Sequence, residues 1–110
     1  MGQIKTEAYS LSQNRLAELI KAIAHPARIA ILKQLIREDS CVCSGFVSNL
    51  QLAQATVSQH LKAMKEAGII QGTIEGRNVC YCINPGVYEF LRMELNDLLR
   101  DLPQKAPNCC

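Results

Sequence analysis

The sequence predicts a mainly α-helical domain finished by a small two-stranded β-wing, in the order α-α-α-α-β-β-α. Three observations predict it. Apolar residues recur at helical spacing in every segment before Gly68. Beyond Gly68 the apolar period shortens to two over a pair of short runs, and a final helical run follows Pro85. With 110 residues, 48% of them hydrophobic and 20% charged, the chain supplies one core, so residues 1–110 are expected to form a single domain.

Each element has its own signal. Leu16, Leu19, Ile20 and Ile23 lie on one helical face, and Ser10 with Gln13 is spaced as a capping box, so a first helix ends near Ala24. Pro26 suits the first turn of a second helix whose buried stripe is expected to be Ile29, Leu32, Leu35 and Ile36, ending before Arg37. A short third helix carries Phe46, Val47 and Leu50. After a break at Gln51 to Ala53, a fourth helix runs from Gln54 to Ala67 with Val57, Leu61 and Met64 inward, and Gly68 stops it. Ile69 to Ile74 and Val79 to Ile83 then form a hairpin around Glu75-Gly76-Arg77-Asn78. The last helix bears Tyr88, Leu91, Leu95, Leu98 and Leu102, a narrow seam suited to a partner helix, and residues 103–110 are expected to fray.

Helices followed by a two-stranded wing, with the third and fourth joined by a tight turn, follow the order of a winged helix-turn-helix. The fourth helix is then the one that reads DNA. The set expected to contact DNA is Gln54, Ala55, Thr56, Ser58, Gln59, His60 and Lys62, with Arg77 and Asn78 on the wing. Gln59 is the best base reader, because its amide can pair with adenine through two hydrogen bonds. Arg77 can reach a phosphate or a minor groove.

Composition narrows the classes further. A formal charge of +2 is too small on its own to mark a nucleic-acid partner, so charge placement has to decide. No apolar run has membrane-spanning length and Met1-Gly2-Gln3-Ile4-Lys5 does not read as a secretory signal, so a cytoplasmic protein with no membrane partner is expected. In that reducing compartment six cysteines point to metal or redox chemistry before structural disulfides. No Cys-x-x-Cys, glycine-rich phosphate loop or spaced Ser, His and acid set is present, so an enzyme is not expected.

Several motifs in the right order resemble the ArsR/SmtB family. They are Ala24-His25-Pro26-Ala27-Arg28-Ile29-Ala30-Ile31-Leu32, then Ala55 to Lys62, Glu66-Ala67-Gly68-Ile69-Ile70 and Glu75-Gly76-Arg77, spanning roughly residues 12–102. The resemblance implies a homodimer held by its first and last helices, through Leu16, Leu19, Ile20, Leu91, Leu95, Leu98 and Leu102. It implies a repressor that binds double-stranded operator DNA and is released by a metal, a metalloid or another thiol-reactive signal. The chain departs from the family pattern with Gln51 in place of the usual glycine and Ala53 in place of a serine cap.

Cys41-Val42-Cys43 resembles the Cys-Val-Cys of the arsenic-responsive members and of some cadmium and lead sensors. The third cysteine usual in arsenic sensors is here Phe46, and residues 1–40 contain no cysteine that could serve as an arm ligand. The last helix has Glu94, Asp97 and Asp101 but no histidine, so the zinc-sensor site is not expected. The rest of the site must come from elsewhere. If the segment before the third helix runs beside the second wing strand, with Val42, Val79, Tyr81 and Ile83 toward the core, then Cys41, Cys80 and Cys82 share an outward face. Neighbouring Cβ atoms on such a face are ~5 Å apart. Cys43 is expected in the first turn of the third helix, where a thiolate is favoured. The candidate metal site is therefore Cys41 and Cys43 completed by Cys80 or Cys82, and Cys109-Cys110 is the rival pair. The inducers considered are As(III) and Sb(III), with Cd(II), Pb(II) or Zn(II) possible. Two other readings stay open: a repressor of the same fold responding to oxidants or reactive sulfur, and a winged helix that binds protein.

Overall fold

The computed structural model describes residues 6–38, 41–43, 52–76 and 78–100. After a 3₁₀ turn at Thr6–Ala8, the elements are α1 (Leu11–Ile23), α2 (Pro26–Arg37), α3 (Gln54–Ala67), β1 (Ile70–Glu75), β2 (Asn78–Ile83) and α4 (Pro85–Arg100). The expected helix through Phe46, Val47 and Leu50 lies outside the described residues. So do Arg77, Leu102 and the tail with Cys109 and Cys110.

Local chemistry sets the boundaries. The capping box at α1 is complete: the Gln13 amide donates to Ser10 Oγ at 3.1 Å, and the Ser10 amide donates to Gln13 Oε1 at 3.0 Å. At α2, Pro26 takes the first turn and His25 is the cap, its Nδ1 accepting from the Ala27 amide at 3.0 Å. Helix α3 begins at Ala53 with no side-chain cap and ends on Gly68, whose φ of +92° is a left-handed position that glycine adopts without strain. In the antiparallel hairpin Ile70 faces Ile83, Thr73 faces Cys80 and Glu75 faces Asn78. Gly76, at φ +65°, makes the turn.

One core cluster joins these elements: Leu19 of α1, Ile31, Leu32 and Leu35 of α2, Val57, Leu61 and Met64 of α3, Ile69, Ile70, and Leu91 of α4. The predicted stripe of α2 needs correction. Ala27, Ile31, Leu32, Gln34 and Leu35 are buried, whereas Ile29 and Ile36 are 46% and 53% exposed. Helix α2 turns its 27/31/35 row toward α3 and β2, and Ile29 and Ile36 fall outside that row. The seam proposed for dimer contact is also divided. Leu19 and Leu91 belong to the protomer's own core and Leu16, Ile20 and Leu95 are half-buried against it, while Leu98 and Leu99 are 64% and 73% exposed.

This placement predicts unequal costs for two isoleucines of one helix. Ile31→Ala lowers unfolding free energy by about 2–5 kcal/mol, because it leaves a cavity. Ile36→Ala changes it by about 0.5 kcal/mol or less, as surface positions do. Urea titration of both variants checks this.

Candidate DNA-reading face and cysteine cluster

The outer face of α3 presents Gln54, Ala55, Ser58, Gln59 and Lys62 to solvent, with Thr56 half-buried at its edge. Asn78 is exposed on the wing. Together these form a surface of small polar groups and one lysine, able to approach phosphates and base edges. His60 is not part of that surface. It is 9% exposed and points inward, between the core positions Val57, Leu61 and Met64. The sequence carried a signal for this, since residue 60 lies three after Val57 and four before Met64.

His60 is held from across the core. Arg28 Nε donates to His60 Nδ1 at 3.0 Å, and Arg28 Nη1 donates to the Ala22 carbonyl at 2.9 Å. The His25 ring is 4.4 Å from the His60 ring. Burial, followed by the nearby His25 and Arg28, lowers the His60 pKa below its usual 6.5.

The cysteines are organised by a single bridge. The Val42 amide donates to the Tyr81 carbonyl and the Tyr81 amide to the Val42 carbonyl, both at 2.8 Å. This antiparallel pair makes the segment before residue 44 a third rung beside β2. Its register sets Cys41 opposite Cys82 and Cys43 opposite Cys80, on the face away from Val42 and Tyr81. Cys43 and Cys80 are joined by a disulfide; Cys41 and Cys82 are half-buried thiols.

Three expectations are corrected here. Cys80 is fully buried instead of outward and exposed, because Cys43 lies over it and it sits between two neighbouring strands. Val79 is 43% exposed, not core-facing, because it pairs with the 81%-exposed Ile74 near the wing tip, beyond the reach of the helices. Cys43 is non-helical and continues the extended segment. With two sulfurs bonded to each other, no group of three or more His, Cys, Asp or Glu among the described residues is arranged to hold a metal ion.

A family model described as "Bacterial regulatory protein, arsR family" matches residues 25–71, from the cap of α2 into β1. The transcriptional repressor PagR of Bacillus anthracis is 33% identical over 94 residues, which cover 86% of this chain and 92% of PagR. The chain belongs to the arsR family. It has that family's winged helix-turn-helix fold. The HTH-type transcriptional repressor SmtB of Mycobacterium tuberculosis is 47% identical over 64 residues, and this arsR-family chain spans about half (47%) of that relative's length. Among solved structures, PagR superposes with a TM-score of 0.62 at 32% identity, covering 76% of this chain and 97% of PagR. HlyU from Vibrio cholerae superposes with a TM-score of 0.66 at 26% identity, covering 84% of this chain and all of that one. No helix among the described residues is long and apolar enough to cross a membrane.

The disulfide predicts a thiol count. In a Cys109→Ser, Cys110→Ser background, titration under denaturing conditions finds four thiols after reduction and two without it, since Cys43 and Cys80 are bonded. Adding Cys43→Ser removes the bond and makes the count independent of reductant.

Proposed function

We propose that this chain is a homodimeric repressor that binds double-stranded operator DNA through α3 and the wing. It releases that DNA when As(III), or a similarly thiophilic ion, is captured by thiolates of Cys41, Cys43, Cys80 and Cys82. The register of the Val42–Tyr81 bridge carries the reading, because it gathers four cysteines onto one face of three adjacent strands. Once Cys43 and Cys80 are reduced, the donor set is soft and sulfur-only. Three thiolates suit As(III) or Sb(III); four suit Cd(II) or Zn(II), and Pb(II) remains a further thiophilic candidate. Capture would pull the segment before α3 against the wing and disfavour the DNA-bound arrangement by linkage. The dimer reading rests on exposed Leu98 and Leu99 beside an apolar trough on α4 that includes Tyr88 and Leu95.

The disulfide itself favours a second reading, in which oxidation of Cys43 and Cys80 by a peroxide or reactive sulfur species is the signal. One set of DNA-shift measurements separates the two. If the metalloid reading holds, arsenite releases DNA from the fully reduced protein. Cys41→Ser and Cys43→Ser then bind DNA but no longer let go, and Cys109→Ser with Cys110→Ser responds normally. Release by peroxide, with none by arsenite, antimonite, Cd(II) or Pb(II), establishes the second reading and rejects the first.

The reading face has its own test. Gln59→Ala reduces the preference for operator over random duplex by about 1–3 kcal/mol. Lys62→Ala weakens binding to both duplexes alike. Equal losses for Gln59→Ala on the two duplexes remove it from base reading.

A further inference from the structure

Both histidines of the chain meet at one joint, and each acts there as an acceptor. His25 Nδ1 accepts from the Ala27 amide and His60 Nδ1 accepts from Arg28 Nε. A ring nitrogen that accepts carries no proton, so both bonds require an unprotonated Nδ1. Arg28 also grips the Ala22 carbonyl at the end of α1. One guanidinium thus ties the α1–α2 elbow to the inner face of α3. Around His60 that face is apolar, and apolar contact is non-directional. The Arg28–His60 bond adds a directional tie to that packing. Gln59, the neighbouring residue, is on the exposed side.

We infer that neutral His60 is a positioning residue for sequence reading: through Arg28 it fixes the rotation of α3, and its protonation uncouples operator selectivity from general DNA binding. A proton on Nδ1 replaces an acceptor with a donor and sets a cation against Arg28. The titratable and charged groups acting on His60 are His25 and Arg28, both from the α2 end. On α1, Arg15 and Glu18 pair with each other and Lys21 is exposed, while the described side chains of β1 include none that is charged. Lys62, Lys65 and Glu66 on α3 itself are exposed. No carboxylate among these stands ready to compensate the proton.

The sign follows from the lowered pKa of His60. Above the ordinary imidazole value the docked helix keeps its bond. As pH falls below about 6.5, the undocked imidazole takes up its proton first and the docked arrangement loses favour. Phosphate attraction moves the opposite way, because an added positive charge strengthens binding to any duplex. Selectivity and affinity therefore separate.

The inference rests on the reading of α3 as the DNA-contacting helix. The test uses the full chain in reductant, with a duplex that the chain itself selects from a random library at pH 8 and a random duplex for comparison. Between about pH 7.5 and 5.5 the ratio of affinities for selected over random duplex falls severalfold in the wild type, in the direction set by proton uptake on the undocked imidazole. His60→Asn, whose Oδ1 can accept from Arg28 and does not titrate, gives a flat ratio. A flat wild-type ratio, or the same slope in His60→Asn, overturns the inference. If circular dichroism shows His60→Asn unfolded, His60→Gln takes its place, and a flat wild-type ratio is decisive against the inference without either variant. Failure to select any duplex at pH 8 overturns the α3 reading and the inference with it, whereas selection followed by a flat ratio overturns the inference alone.

Discussion

Two hydrogen bonds between Val42 and Tyr81 close the wing onto the helical body, and the arrangement of the cysteines depends on them. An antiparallel pair leaves no choice at its flanks. Once Val42 and Tyr81 are opposite each other and turned to the core, Cys41 must face Cys82 and Cys43 must face Cys80. Backbone bonds of this kind contribute only about 1 kcal/mol each in net terms. A disulfide across the neighbouring pair contributes about 2–4 kcal/mol. Sulfur chemistry at the flanks is therefore at least comparable in energy to the bridge it flanks and contributes to holding the segment before α3 on the wing.

Helix α3 is held mainly from its inner face. Its N-terminal cap is Ala53, which offers no side-chain acceptor, a deficit of about 1 kcal/mol relative to serine. Gly68 terminates the other end cleanly. Between them Val57, Leu61 and Met64 supply burial, and His60 supplies direction through Arg28. The outer face is thereby free of structural duty. Ser58, Gln59 and Lys62 can serve contact with DNA because none of them is needed to hold the helix in place.

The wing combines two surfaces with different tasks. At its base Tyr81, Ile83 and Ile70 pack with the helices; toward its tip Ile74 and Val79 are exposed. Cys80 lies at the transition and is buried by Cys43 from the neighbouring segment. A position that reads as solvent-facing within the hairpin becomes interior once a third rung is added.

The sequence by itself determined what depends on neighbours along the chain. Ser10 and Gln13 start α1, Pro26 starts α2, Gly68 ends α3 and Gly76 turns the hairpin, each through a backbone requirement met within a few residues. The β1–β2 hairpin followed from alternation, but the Cys43–Cys80 pair did not, because Cys43 reads as helical in the sequence and lies instead on the extended segment beside β2. The tertiary structure decided which of two adjacent faces meets a partner. It turned Ile29 and Ile36 outward, assigned Leu19 and Leu91 to the core, drew His60 inward to Arg28, and buried Cys80 beneath Cys43. Periodicity groups side chains onto a face. Only the packing of one element on another selects the face that loses its water, because that choice depends on residues far away in the chain.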